Sequence, residues 1–279
     1  MTAVLLALGA SLFWGFADFG AGAATRRLPV FVVAAVSQTA GLVAVALVVL
    51  ATADGTPSAR QFAWAAFAGL VGLLGLSFFY RALAMGTMGI VGPITATAAI
   101  VPVAYGLGRG ERPSTLQGIG VGLAVVGVIA ASLEPGTEGS RRRIGVGVGF
   151  ALAAAFSFGW SLVGLSRAAP GGVAWAILTM RMAAVPVGVL LALVLQRRAP
   201  ASSRGWLLLI AVGVTDVGAT LLYGEATTRG LLSVVAVLSS LYPIVIVVLA
   251  RVLLSERIAR GQLVGVAVAL AGVALISAG

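Results

Sequence analysis

Long apolar stretches alternate along the chain with short links that carry most of its charges. An α-helix needs about 20 mainly apolar residues to cross the hydrocarbon core of a membrane. Uncharged stretches of suitable length cover residues 28–53, 61–80, 82–108, 113–133, 144–166, 230–250 and 261–279. Three further apolar stretches, 2–25, 172–196 and 205–228, contain a few charged residues: Asp18, Arg181, Asp216 and Glu225. The pattern predicts an all-α membrane protein with ten transmembrane helices and no soluble domain.

The fourth and ninth predicted helices contain residues that interrupt a regular helix. Pro93 and Pro102 lie in the fourth, and Pro243 lies in the ninth. Proline removes a backbone hydrogen bond, and irregular backbone at membrane depth is tolerated only against protein or a water-filled cavity. We therefore expect these two helices to be irregular and to line a pathway.

The composition excludes several classes of protein. With 60% hydrophobic and 9% charged residues, the chain is too apolar for a soluble enzyme, a secreted module or a nucleic-acid-binding domain. It has no cysteine and no histidine, which excludes disulfides, haem and thiolate chemistry and imidazole catalysis. All 18 basic residues are arginine, so there is no P-loop lysine for ATP-driven transport. We predict a protein that is not an enzyme and that has no cofactor and no bound metal.

The net charge of +10 comes from arginines placed between apolar stretches. This placement is typical of the links between membrane helices, so the expected partners are the lipid bilayer and a small solute rather than nucleic acid. Links after odd-numbered helices hold 12 arginines, against five after even-numbered helices. The positive-inside rule places the odd links in the cytoplasm and both termini outside. Whether the chain forms a homodimer is left open.

A long internal repeat relates the two halves of the chain. Residues 111–132 align with 256–277 without a gap, at nine identities in 22 positions, and the matches include Glu-Arg, Gln and two Gly positions. Upstream, Trp14–Gly15 corresponds to Phe158–Gly159, and Tyr80 corresponds to Tyr223. We predict one transport domain composed of two repeats, 1–133 and 144–279, joined by a polar linker at 134–143.

Each predicted repeat contains five helices. Because five is odd, the second repeat must enter the membrane upside down relative to the first. Inverted repeats are the architecture of many secondary transporters, whose substrate site lies near the membrane midplane where the repeats meet.

These features resemble the EamA-type branch of the drug/metabolite transporter superfamily. The resemblance covers the whole chain and rests on the duplicated order of motifs: Trp14–Gly15 in the first helix, Arg181 in the seventh, and a proline followed by Gly-Glu or Ser-Glu and a glycine-rich helix in both halves. It implies a secondary carrier of amino acids or other small metabolites. It also implies a cavity lined by the first, third, fourth, sixth, eighth and ninth helices. It further implies both termini inside the cell, opposite to the result of the arginine count, so the orientation of the termini is left open.

Three charged residues lie near the middle of the bilayer if a helix rises about 1.5 Å per residue: Asp18, Arg181 and Asp216. Such side chains are costly in lipid and need a partner or a purpose. In the functional interpretation, Asp18 or Asp216 is a protonation site, and Arg181 tunes it or binds a substrate carboxylate. In the alternative, Arg181 forms a buried ion pair with either acid that only orients helices.

The other candidate residues are aromatic or acidic. Trp14, Tyr80, Tyr223 and Tyr242 are candidates for lining an amphipathic pocket, and the alternative for Tyr80 and Tyr223 is the aromatic belt at the membrane interface. Glu225 is expected to pair with Arg229, four residues further along the same helix. Glu111 and Glu256 are expected to complement the dipoles of the fifth and tenth helices at their starts.

The sequence supports one main functional hypothesis and two alternatives. The main hypothesis is a secondary active transporter in the bacterial cell (inner) membrane that exports an amino acid or similar polar solute by alternating access, with proton linkage as an option. A multidrug or organic-cation efflux carrier would instead have a wide aromatic pocket, dominated by a carboxylate rather than by Arg181. The third hypothesis is a membrane scaffold that transports nothing.

Overall fold

The computed structural model describes residues 1–25, 28–52, 57–85, 94–95, 97–132, 141–195, 203–253 and 260–279. These residues are almost entirely helical, and none of them forms a strand. The helices are α1 (Thr2–Thr25), α2 (Val30–Thr52), α3 (Ala59–Met85), α4 (Ile100–Gly108), α5 (Thr115–Ser132), α6 (Arg141–Ala168), α7 (Val173–Leu195), α8 (Ser203–Arg229), α9 (Leu232–Ser239), α10 (Tyr242–Leu253) and α11 (Arg260–Ala278).

The described helices account for the ten predicted transmembrane segments. Seven stretches are long and apolar enough to cross a membrane, one of them formed by α9 and α10 together. Three shorter apolar helices cover Thr97–Gly108, Thr115–Ala130 and Leu263–Ile276. The predicted fold class, an all-α membrane protein of two inverted five-helix repeats, is confirmed. Residues 134–140 of the predicted linker lie outside the described residues, and α6 already begins at Arg141.

The helices pack in pairs that the repeat relates to one another. Helix α3 packs along α6, and its counterpart α8 packs along α1, the counterpart of α6. Helix α2 contacts α8, as α7 contacts α3. Two further pairs, α2 with α7 and α5 with α11, join a helix to its own counterpart. The packing of these described helices is therefore two-fold symmetric between the repeats.

Glycines of α5 and α11 show that these two helices run in opposite directions. A Cβ at Gly120 would lie 2.6 Å from the carbonyl oxygen of Gly272, and one at Gly127 would lie 2.3 Å from the amide nitrogen of Ala269. Residue numbers thus rise along α5 as they fall along α11. Because α11 is the counterpart of α5, this arrangement is the expected result of inverting one repeat.

A second pair of glycine contacts fixes α2 and α7. A Cβ at Gly69 in α3 would lie 2.1 Å from the carbonyl oxygen of Met180, and one at Gly213 in α8 would lie 2.0 Å from that of Ser37. Missing side chains allow helix backbones to approach closely in membranes. These contacts hold α7 against α3 and α2 against α8 at equivalent points of the two repeats.

The irregular fourth and ninth helices are confirmed, although their prolines do not kink a continuous helix. Pro102 is the third residue of α4, which follows a 3₁₀ turn at Thr97–Ala99. Pro243 is the second residue of α10, which follows a break at Ser240 and Leu241. Each lies in the first turn of a new helix, where its missing N–H group is not needed. Pro93 lies outside the described residues.

One prediction about a helix start is wrong. Glu111 does not lie in the first turn of α5, which begins at Thr115. Its carboxylate instead accepts hydrogen bonds from the backbone of Leu232 and Ser233, at the start of α9 in the other repeat. The link between α4 and α5 is long enough to reach that neighbouring helix.

The α5–α11 contact predicts different outcomes for two glycines of the same helix. Gly127→Ala would place a methyl group against the backbone of α11, whereas Gly122→Ala meets nothing within 4 Å. We expect Gly127→Ala to lower the free energy of unfolding by about 1–3 kcal/mol, as overpacking does. Gly122→Ala should be neutral or slightly stabilising, since alanine favours helix. Thermal unfolding of both variants in detergent tests this, and equal midpoints would contradict the assigned packing.

Candidate functional site: a central cavity with three charged residues

A cavity of about 310 Å³ lies between the two repeats. Its walls come from α1, α2, α3, the turn before α4, and α6 to α10. The six lining helices implied by the family resemblance are all present, and the structure adds α2 and α7. The walls are mostly apolar, so the few charged side chains dominate the chemistry of the cavity.

Most of the cavity lining lies between the middle of the bundle and the face that carries the α1–α2 link. On α6, α8 and α9 the lining extends from the middle toward the other face, as far as Leu165, Thr220 and Ala236. On α1, α2, α3 and α7, the lining residues lie from about the middle of each helix toward that face: Trp14 and Asp18, then Phe31 to Gln38, then Gly69 to Ser77, then Met180 to Leu191. Both irregular segments also contribute, through Ala98 and Ala99 before α4 and through Ser239, Ser240 and Tyr242 around the α9–α10 break.

An ion pair crosses from α7 to α8 at the cavity wall. The Arg181 guanidinium donates a hydrogen bond to Oδ2 of Asp216. The side chain of Arg181 is 6% exposed and that of Asp216 is 23% exposed. Sequence reasoning left open which acid Arg181 would contact, and the structure selects Asp216. The Nε–H group of Arg181 is buried without a partner among the described residues.

Asp18 faces the same cavity but stands apart from the ion pair. It is exposed and, within the described part of the chain, makes no hydrogen bond and no ion pair. Among the described residues its carboxylate is thus a negative charge in the cavity without a partner, whereas that of Asp216 is bound by Arg181. Asp18, Arg181 and Asp216 line one cavity. Their common depth had left open whether they would face each other.

The four aromatic candidates occupy different environments. Trp14 and Tyr242 line the cavity. Tyr223 is not among the residues that line the cavity; it is fully buried, with its ring centroid 5.7 Å from that of Trp14 in a tilted arrangement, and it donates a weak hydrogen bond of 3.4 Å to the carbonyl of Leu162. A tyrosine without exposed surface does not belong to the interfacial belt, so that alternative is wrong for Tyr223. The side chain of Tyr80 lies outside the described residues.

Sequence reasoning missed the polar but uncharged lining of the cavity. These residues are Gln38, Ser77, Thr95, Ser161, Thr220, Ser239 and Ser240. Two of the hydroxyls join helices: Ser161 donates to the carbonyl of Ala68 at 2.8 Å, and Ser239 donates to that of Ala7 at 3.4 Å. Serine and threonine often bond to their own helix backbone, as Ser77 does, so their sequence positions alone carried no usable signal.

The exposed acid Glu225 is accounted for by its own helix. Its carboxylate accepts a hydrogen bond from Arg229 one turn further along α8, which confirms the predicted pair. Both side chains are well exposed at the end of the helix, away from the cavity. This pair provides an exposed counterpart to the Arg181–Asp216 pair.

A bundle of two inverted repeats around a charged central cavity defines a multi-pass membrane transporter. The sequence profile of the EamA-like transporter family matches residues 1–133 and 145–278, so the chain belongs to that family, within the drug/metabolite transporter superfamily. A solved crystal structure matches over 99% of this chain and 98% of its own, with a TM-score of 0.86 and 20% sequence identity, a likeness of fold alone. No curated protein matches the chain.

The two ion pairs of α8 should differ in their effect on stability. Removing one partner of a buried pair leaves an uncompensated charge, so Asp216→Ala should cost about 3–5 kcal/mol of unfolding free energy. Adding Arg181→Met should recover part of that loss. The equivalent cycle on Glu225 and Arg229 should show coupling of only about 0.3–0.5 kcal/mol. Denaturation of the two double-mutant cycles in detergent measures both couplings, and similar values would show that Arg181 and Asp216 are not a buried pair.

Proposed function

We propose that the protein is a secondary active transporter that moves a small, amine-bearing solute through this cavity by alternating access. The observation that carries the proposal is the carboxylate of Asp18, which has no partner among the described residues and faces a mostly apolar cavity between inverted repeats. In low-dielectric surroundings a carboxylate attracts a cationic group more strongly than in water. Ligand pockets span about 300–1,000 Å³, and this cavity is at the lower end, which suits a small metabolite.

An amino acid satisfies the charged groups of the cavity best. Its ammonium group would bind Asp18, and its carboxylate would lie toward Arg181, whose Nε–H has no partner among the described residues. The aromatic side chains Trp14, Phe31 and Phe158 offer apolar surface to the rest of the solute. We further propose export as the direction and the bacterial inner membrane as the location. The bounds of the two repeats stay a prediction.

Proton coupling would use the same carboxylate. Asp216 is held by Arg181, whereas Asp18 is free to exchange a proton for a cationic solute. Binding of the solute and of a proton would then exclude one another at Asp18. In this scheme the Arg181–Asp216 pair shapes the wall of the cavity and keeps one positive charge close to the site.

An organic-cation carrier is the second candidate. The difference in access between the two charged groups favours this candidate. The Asp18 carboxylate is open to the cavity, whereas Arg181 is 5% exposed and already paired with Asp216. The two candidates differ in whether the solute must also carry a carboxylate.

Loss of the Asp18 charge should abolish transport without unfolding the protein. We expect Asp18→Asn to lower solute-evoked currents at least about tenfold on a solid-supported membrane, since a hydrogen bond to a charged group contributes about 1.5–3 kcal/mol. Pre-set pH gradients should no longer drive the remaining flux. Glu225→Gln, which removes an exposed carboxylate of α8, should behave as wild type. Full, pH-driven current in Asp18→Asn would remove this residue from the mechanism.

The solute's carboxylate can be tested with matched compounds. We expect counterflow of a radiolabelled amino acid to be inhibited at least about tenfold better by the same amino acid than by the amine that lacks its carboxylate. Arg181→Met should reduce that preference. Stronger inhibition by the amine, unchanged in Arg181→Met, would favour the organic-cation carrier instead.

A further inference from the structure

The link between α4 and α5 is bound to the start of α9 in the other repeat. The Glu111 carboxylate accepts hydrogen bonds from the backbone N–H groups of Leu232, at 2.7 Å, and of Ser233, at 3.0 Å. The first N–H groups of a helix have no partner within it and carry a partial positive charge, so a carboxylate there is doubly favourable. We call these two bonds the Glu111 cap.

The local backbone is shaped to place this carboxylate. Gly110 has a φ of +91°, which lets the chain turn after α4. A Cβ at Gly106 would lie 2.3 Å from Oε2 of Glu111, so the carboxylate occupies the space of a missing side chain. The backbone N–H of Glu111 also donates to the carbonyl of Gly106 at 3.0 Å.

The Glu111 cap lies on the side opposite most of the cavity lining. Ten alternating crossings put the α4–α5 and α8–α9 links on one face, and the α1–α2 link on the other. Most of the cavity lining lies toward the α1–α2 link. On the capped side, the whole of α9 is buried and Tyr223 beneath Trp14 has no exposed surface. The cap therefore joins the two repeats where the bundle is closed.

We propose that the Glu111 cap holds this face of the transporter closed and must break when the cavity opens to that side. Glu111 is thus a positioning residue for the conformational step, with no contact to the solute. The inference rests on the proposed alternating-access function. It is nevertheless tested without any solute, so a failed transport assay leaves the test unaffected.

The chain contains no cysteine, so single-cysteine variants report one position each. Val235→Cys places a thiol at a fully buried position of α9, one turn beyond the cap and outside the cavity lining. Gln38→Cys places a thiol in the cavity lining, on the half of α2 that is nearer the α1–α2 link. Rates of reaction with N-ethylmaleimide in proteoliposomes then measure how often each side admits water.

Two variants remove the Glu111 cap by different means. Glu111→Gln removes the charge, and Gly106→Ala keeps the charge but places a methyl group where the carboxylate lies. We expect each to raise labelling of Val235→Cys about tenfold, the effect of losing about 1.4 kcal/mol, and to lower labelling of Gln38→Cys. The control is Glu225→Gln, an exposed acid at the same face that contacts only its own helix, and it should change neither rate.

Opposite changes in the two labelling rates distinguish the opening of one face of the transporter from a local loosening of its helices. Faster labelling of Val235→Cys together with slower labelling of Gln38→Cys, in either cap variant, supports the proposal. Faster labelling at both positions, unchanged labelling at both, or an equal effect of Glu225→Gln would overturn it. Elution of each variant as a single species in size-exclusion chromatography confirms that the compared proteins are folded.

Discussion

Close contact between helix backbones is the constraint on which the rest of this structure depends. Lipid tails are as apolar as the helix surfaces, so hydrophobic burial does little to drive membrane helices together and close packing becomes decisive. At Gly69, Gly127 and Gly213, the neighbouring backbone occupies the place of a side chain. These contacts fix the distance between helices at repeat-related points. They therefore determine where the walls of the central cavity stand.

The packing of the repeats is symmetric, but their charges are not. With the offset of 144 that aligns Gly15 with Gly159, Asp216 corresponds to Gly72, Arg181 to Ser37 and Asp18 to Leu162. The scaffold is duplicated, whereas the charged site exists once. A single site can serve both faces only if it lies near the middle of the membrane, where either opening reaches it. The three charged residues lie close to the midpoints of α1, α7 and α8, as this requires.

The features that followed from the sequence are those set by local composition. Apolar runs predicted the helices, and the duplicated Glu-Arg, Gln and Gly positions predicted the repeats. The choice of Asp216 over Asp18 as the partner of Arg181 could not be predicted, because both acids lie at similar depth and only the rotation of each helix separates them. The role of α2 was also missed. Residues 31–38 read as an ordinary apolar helix, and they reach the cavity because Gly213 lets α2 pack closely against α8.

The position of Glu111 could not be predicted either, because it depends on a contact between the α4–α5 link and α9 of the other repeat. This contact connects the capped face of the bundle with the central cavity. A helix of eight residues such as α9 has few internal hydrogen bonds, since its first N–H and last C=O groups need outside partners. Glu111 supplies two of them at one end, while Ser239 at the other end lines the cavity. About 12 Å of helix separates these ends. A solute that displaces the α9–α10 break thus acts on the same short element that Glu111 holds, and the buried surroundings of α9 leave it little freedom to move except as a unit.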